Sequence, residues 1–92
     1  MSAVSETLQI VNKRGLHARA SARFVGLVAE LPGTLDIRVR KDGTEAAGGS
    51  ILGLMMLGAA KGDSIDISVS GEGAQDALDR LVELVSGGFG ED

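Results

Sequence analysis

Two segments of the chain alternate strictly between apolar and polar residues. In the first, Leu35, Ile37 and Val39 alternate with charged residues, and in Ser64–Ser70 every second residue is Ile or Val. This period of two puts the apolar side chains on one face of a strand. Strands that are apolar on one face only are typical of antiparallel sheets, which have one covered and one solvated face. The pattern argues against a doubly wound parallel sheet, whose strands are apolar on both faces.

Segments with a helical period separate these strands. Apolar residues recur at spacings of three and four over Ala18–Glu30 and over residues 74–85, which predicts two amphipathic helices. Pro32-Gly33 and Gly87-Gly88 are the stop signals that follow them. The other predicted elements are a first strand at residues 6–11, a hairpin turn at Asp42-Gly43, a short strand at Thr44–Ala47 and a short apolar helix at residues 51–57.

The predicted order is β-α-β-β-α-β-α. It indicates an α+β fold, an open-faced β-sandwich in which three helices cover one face of a four-stranded, mostly antiparallel sheet. A chain of 92 residues is long enough to bury one core, so we expect residues 1–92 to form a single domain.

The composition disfavours several classes of function. The chain has no Cys and a single His, which argues against disulfides, zinc sites and cysteine chemistry. It has no phosphate-binding loop, dinucleotide-binding or serine-nucleophile motif. Two aromatic residues and an acidic last third disfavour nucleic acid as a partner. Without a signal peptide or a spanning apolar run, we expect a cytoplasmic protein with no membrane insertion.

The basic residues are concentrated at one end of the predicted fold. No acidic residue occurs between Glu6 and Glu30, whereas Lys13, Arg14, Arg19 and Arg23 lie there. The same stretch holds the only histidine, at the junction of the first strand and the first helix. The sequence therefore predicts that this end of the molecule attracts anions.

His17 is the candidate nucleophile. At the start of a helix the backbone N–H groups of Ala18 and Arg19 have no intrahelical partner, and together with the Arg19 guanidinium they could bind a phosphoryl group. Taken alone, a His beside an Arg is more often a helix cap next to a solvated charge. Both interpretations stay open on the local pattern.

Two longer motifs favour the first interpretation. Residues 15–25, Gly-Leu-His-Ala-Arg-Ala-Ser-Ala-Arg-Phe-Val, resemble the active-site segment of the histidine phosphocarrier family HPr, and residues 50–58 resemble the regulatory-serine helix of that family. The resemblance implies that His17 accepts a phosphoryl group from phosphorylated enzyme I of the phosphotransferase system and passes it to an enzyme IIA component. It implies that Arg19 steadies the phosphate, and it implies no cofactor and no metal. Such a protein is a carrier with a phosphohistidine intermediate, not a stand-alone enzyme.

Three positions depart from the family pattern. Ala20 stands where the family usually has Pro, Arg14 where many members have a small polar residue, and Gly49 where many have Lys. Pro is tolerated in the first turn of a helix because an N–H there would have no intrahelical partner. Ala20 at this position is therefore compatible with the same helix. Ala20 and the extra charge of Arg14 make the chain similar to the nitrogen-related branch, NPr.

Ser50 has two interpretations. On the local pattern it is the N-cap of the short helix. The resemblance implies a regulatory phosphorylation site for an HPr kinase/phosphatase, although Gly49 departs from the pattern before the serine. We expect Gly48-Gly49 to give a flexible approach to the helix.

The short helix at residues 51–57 is apolar around most of its circumference. It is therefore either wholly buried or partly presented to partners. The resemblance implies that Ile51, Leu52 and Met55 dock partners, while Leu54 and Leu57 face the core.

Two other classes of function remain open. The same order of elements serves small-molecule-binding regulatory modules of the ACT kind, which would not need His17. The second class is a purely regulatory protein, which acts on partner proteins through Ser50 without phosphotransfer. Only the carrier would form an acid-labile phosphoramidate on His17.

Overall fold

The elements of the chain follow the predicted order. A computed structural model describes residues 3–91. Its strands are β1 (Ala3–Gln9), β2 (Asp36–Lys41), β3 (Thr44–Ala47) and β4 (Ser64–Ser70), and its helices are α1 (Ala18–Glu30), α2 (Ile51–Met56) and α3 (Ala74–Ser86). A 3-10 turn at Gly88–Gly90 follows α3.

The four strands form one antiparallel sheet in the order β1-β4-β2-β3. Strand β1 pairs with β4 from Ala3 opposite Ser70 to Gln9 opposite Ser64. The loop after Gln9, which leads to α1, therefore leaves the sheet at the Ser64 end of β4.

The helices cover one face of the sheet, which confirms the open-faced sandwich. Helix α3 packs on β1 and β4, and α1 packs against α2. The side chains between these layers are fully buried. They include Phe24 from α1, Leu54 from α2, Val39 and Ile67 from the sheet, and Leu81 from α3.

Strand β1 differs from its predicted position. It covers Ala3–Gln9 and not residues 6–11. The predicted first residue of the strand was wrong because Ala3 and Ser5 do not continue a pattern of alternating apolar and polar residues. The strand begins at Ala3 because it pairs with β4 along its whole length. Ile10 lies beyond the strand and is 1 % exposed. The predicted short helix likewise ends one residue early, with Leu57 as its C-cap.

The turn after α3 was not predicted. Phe89 has φ 58°, in the left-handed region that bulky residues rarely adopt, and its side chain is fully buried. It lies between Gly88 and Gly90, which also have positive φ. The turn directs Glu91 towards the loop between β1 and α1, since Glu91 contacts residues of that loop.

Candidate functional site

His17 is the N-cap of α1. Its backbone is extended and its carbonyl accepts the N–H of Ser21 at 2.9 Å. The Nδ1 atom of its side chain accepts the N–H of Arg19 at 3.3 Å. The imidazole is 23 % exposed. One ring nitrogen therefore caps the helix, and the Arg19 N–H, which the sequence analysis expected to have no partner, donates to the side chain of His17.

The loop before His17 is held against a neighbouring loop. The Leu16 N–H donates to the Ala59 carbonyl at 2.9 Å. Gly15 has φ +63°, and a Cβ placed there would lie 2.2 Å from the Ala59 oxygen. Only glycine fits this close approach, so Gly15 fixes the position from which α1 begins.

Glu91 contacts the other side of the imidazole. Its Oε2 lies 2.8 Å from His17 Nε2, and its Oε1 accepts a hydrogen bond from Asn12 Nδ2 at 2.9 Å. The same Asn12 nitrogen donates to the Gly15 carbonyl, also at 2.9 Å. Asn12 itself is 1 % exposed. The imidazole thus lies between a helix start on Nδ1 and a carboxylate on Nε2.

These contacts shift the titration of the carboxyl group. The hydrogen bond from Asn12 lowers the pKa of the Glu91 carboxyl below its usual range, and burial partly opposes this effect. The His17 contact and the charge of Arg23 lower the pKa of Glu91 further. The carboxylate form is therefore the one that this site stabilises.

A basic cavity of about 460 Å³ adjoins the site. It is lined by Lys13, Arg14, Arg19, Arg23, Gly90 and Glu91. The structure thus brings together the four cations that the sequence analysis singled out. Within the described part of the chain, the Ala18 N–H has no hydrogen-bond partner. Glu91 is the one acidic residue among the residues that line this cavity.

Sequence reasoning missed Asn12 and Glu91. Glu91 lies 74 residues beyond His17, after the last predicted helix. No motif connects the two residues, and only the path of the chain around Phe89 brings them together. No acidic residue neighbours His17 in sequence, but one does so in space.

Ser50 and α2 form a second exposed feature. The Ser50 hydroxyl accepts the N–H of Gly53 at 2.9 Å, which makes Ser50 the N-cap of α2. The exposed fractions are 41 % for Ile51, 67 % for Leu52 and 39 % for Met55. Leu54 and Leu57 are buried. Met56 and Val11 are further exposed apolar residues, which the sequence analysis did not predict. The distribution of exposure is the one implied for a docking helix, and the docking itself stays a prediction.

Gly48 does not have the predicted role of a flexible approach. Its N–H donates to the Ile37 carbonyl at 2.8 Å, and a Cβ at this position would lie 2.5 Å from Ile37 Cγ2. Gly48 is therefore required for close packing against β2. A Cβ on Gly49 would meet open space.

Two kinds of feature are absent from residues 3–91. None of the helices there is both long enough and apolar enough to cross a membrane. In the same range no three His, Asp or Glu side chains are grouped as they would be to hold a metal ion.

Comparisons with known proteins agree on one family. The family model described as the PTS HPr component phosphorylation site matches residues 4–87. The phosphocarrier protein HPr of Neisseria meningitidis is 39 % identical over 88 residues, which cover 96 % of this chain and 97 % of the relative. The phosphocarrier protein NPr of Escherichia coli K12 is 35 % identical over 89 residues, which cover 97 % of this chain and 98 % of the relative. The crystal structure of HPr-C-His from Thermoanaerobacter tengcongensis matches with a TM-score of 0.87 at 37 % identity, covering 100 % of this chain and 99 % of that one.

Proposed function

The chain belongs to the HPr family of the phosphotransferase system, and on that premise we propose that it accepts a phosphoryl group on His17 from phosphorylated enzyme I and passes it to an enzyme IIA component. We propose further that residues 1–92 act as one phosphocarrier domain and that the protein works in the cytoplasm. The observation that supports this most is the position of Nδ1 of His17, at a helix start and beside a basic cavity.

The geometry favours Nδ1 as the accepting atom. Nε2 already faces the Glu91 carboxylate, whereas Nδ1 faces the Arg19 N–H through a long hydrogen bond of 3.3 Å. In the transfer, the Nδ1 lone pair forms a bond to phosphorus, and the bond from phosphorus to the donor's leaving atom breaks with its electron pair returning to that atom. No proton needs to leave His17, since the ring proton stays on Nε2.

The surroundings of Nδ1 suit a phosphoryl group. Once Nδ1 is phosphorylated, the N–H groups of Ala18 and Arg19 become donors to phosphoryl oxygens at the positive end of the helix dipole. The Arg19 guanidinium adds a charge-assisted donor from the adjoining cavity. Positioning and charge stabilisation are the main contributions a protein makes to phosphoryl transfer, and the partner supplies the rest of the site.

The position of Glu91 is compatible with a carrier that does not hydrolyse its cargo. Its carboxylate is engaged by Nε2 and by Asn12, on the side of the ring away from Nδ1. A carboxylate beside Nδ1 could activate water against the phosphoryl group, but this one is held at the opposite nitrogen.

Helix α2 is the proposed docking surface for both partners. Its exposed residues Ile51, Leu52 and Met55 form an apolar patch on the helix that packs against α1. We propose that phosphorylation of Ser50 by an HPr kinase/phosphatase places a dianion beside this patch and weakens docking by desolvation and charge repulsion.

Labelling by phosphorylated enzyme I tests the proposed function. The parent should acquire one acid-labile phosphoramidate, and His17→Ala should acquire none while it remains folded. Because His17 is the N-cap of α1 and contacts Glu91, its replacement should lower the free energy of unfolding by about 1 kcal/mol, too little to unfold the domain. Full labelling of His17→Ala would refute the proposal, and an unlabelled parent would favour the small-molecule module or the non-carrier regulator.

A further inference from the structure

A chain of four groups runs from the backbone to the imidazole. The Gly15 carbonyl accepts one hydrogen of the Asn12 amide, Glu91 Oε1 accepts the other, and Glu91 Oε2 lies 2.8 Å from His17 Nε2. A half-turn flip of the Asn12 side-chain amide would place its oxygen against two other acceptors, the Gly15 carbonyl and the Glu91 carboxylate. Its orientation is therefore fixed, and it holds Glu91 as an acceptor towards His17.

The end of the chain is anchored where it carries Glu91. The Phe89 side chain is fully buried, and the Phe89 carbonyl accepts a hydrogen bond from Arg23 Nη1 of α1. Burial of one aromatic ring holds the unusual left-handed backbone at this residue in place. Glu91 follows two residues later, so its position is set by packing and not by the charge alone.

We propose that Glu91 is a positioning residue for His17, which keeps the ring proton on Nε2 and leaves Nδ1 as the free nitrogen both before and after phosphoryl transfer. The part of this proposal that concerns transfer rests on the proposed function. The part that concerns the proton does not, since it follows from the hydrogen bonds alone.

The first consequence concerns acceptance of the group. A neutral imidazole carries one N–H, and the partner of that N–H decides which nitrogen has the lone pair. An ionised carboxylate only accepts hydrogen bonds, so it selects the proton on Nε2. Glu91 thereby keeps the nucleophilic lone pair on Nδ1, towards the start of α1.

The second consequence concerns donation of the group. The ring phosphorylated on Nδ1 and protonated on Nε2 leaves as a neutral imidazole when the P–N electron pair returns to Nδ1. If Nε2 had lost its proton, the leaving group would be an imidazolide anion, which is far poorer. The Glu91 carboxylate, 2.8 Å from Nε2, accepts the hydrogen bond of that N–H and so holds the proton on the ring during donation.

The neighbouring charges make this role specific to Glu91. The groups that face the site are the cations Lys13 and Arg14 from the loop and Arg19 and Arg23 from α1. Glu91 is the single acidic residue among the residues lining that cavity, so its side chain is the one there that can accept a hydrogen bond from the ring N–H. Its removal leaves the four cations uncompensated.

The decisive variant is Glu91→Gln, with Glu72→Gln as its matched control. A Gln side chain cannot accept from both Asn12 and His17, so only the long 3.3 Å hydrogen bond from the Arg19 N–H to Nδ1 continues to favour the proton on Nε2. Glu72 is exposed in the turn before α3, at the opposite end of the sheet from His17, and its replacement makes the same change in charge.

Two measurements on these proteins are informative. Nitrogen-15 NMR of the neutral, unphosphorylated ring should show the Nε2-protonated tautomer as predominant in the parent and in Glu72→Gln, and a mixture of tautomers in Glu91→Gln. The rate at which each phosphorylated protein transfers its group to an enzyme IIA component should be lower for Glu91→Gln than for the parent and for Glu72→Gln, because the carboxylate no longer holds the proton on Nε2.

The outcomes separate the two proposals. An unchanged tautomer in Glu91→Gln overturns the role of Glu91 and leaves the proposed function intact. A parent with the Nδ1-protonated tautomer also overturns it. An Nε2-protonated parent that takes no phosphoryl group, together with a mixture of tautomers in Glu91→Gln, supports the role of Glu91 in fixing the proton and refutes the proposed function.

Discussion

The two nitrogens of the His17 ring have different environments. Nδ1 faces a backbone N–H at the start of α1, and Nε2 faces a carboxylate. The difference depends on residues that take no part in the chemistry, because Gly15 allows the loop to approach Ala59 and Asn12 holds Glu91. A mutation of either residue would alter His17 without touching it.

The lowered pKa of Glu91 predicts a pH-dependent contribution to stability. A carboxyl whose pKa is lower in the folded than in the unfolded protein stabilises the fold above its unfolded pKa, and the stabilisation is lost as the pH falls through the folded pKa. The parent should therefore melt at a higher temperature than Glu91→Gln at neutral pH, and the difference should vanish in acid. Thermal unfolding of both proteins across the acidic range measures this. A difference that persists unchanged in acid would contradict the prediction.

Helix α2 owes its start to Ser50. The helix has only six residues, and the Ser50 hydroxyl accepts the N–H of Gly53. So short a helix depends on its cap and on the burial of Leu54 and Leu57. Its other side chains are exposed, so the cap and the docking patch can be altered separately.

Ser50→Ala should change the stability of the protein, and Ser50→Asp should change the rate of its phosphorylation. Ser50→Ala removes the cap and should lower the free energy of unfolding by about 1 kcal/mol while leaving the rate of His17 phosphorylation nearly unchanged. Ser50→Asp keeps a good cap and should leave stability near that of the parent, but its charge should slow phosphorylation by enzyme I. Denaturant unfolding and transfer rates measured side by side decide this. A large loss of stability in Ser50→Asp would mean that the slower transfer reflects unfolding.

At the scale of the whole molecule, charge is divided between two regions. Four cations line the cavity beside His17, whereas residues 63–92 hold eight acidic residues and one Arg, and of these acidic residues Glu91 alone lines the cavity. Such a division orients a charged partner before contact and accelerates association. The basic end should therefore meet an acidic surface on enzyme I.

Arg14→Glu should slow association with phosphorylated enzyme I by about tenfold at low salt. The loss should shrink as salt screens the charges. Arg80→Glu, an equal change of charge at an exposed position of α3, serves as the control and should have little effect. Association rates over a range of ionic strength test this, and equal losses for both variants would show that only net charge matters.

The sequence predicted most of the fold because its strands and helices carry clear periods. Ala18–Glu30 and Ser64–Ser70 have their predicted bounds, since alternation and helical spacing extend to their ends. The edge strand β1 was misplaced because its bounds depend on pairing with β4. Within the site, His17 and Arg19 belong to one local motif, so the sequence alone was enough to propose them. Glu91 was not, because its position depends on a left-handed Phe89 that no local pattern indicates.

The most direct test of the central claim is to identify which atom carries the phosphorus. Nitrogen-15-labelled protein is phosphorylated by enzyme I, and proton–nitrogen correlation spectra of the His17 ring distinguish phosphorylated Nδ1 from phosphorylated Nε2. The structure predicts phosphorus on Nδ1 with the ring proton retained on Nε2. Phosphorus on Nε2, or on any residue other than His17, would contradict the account.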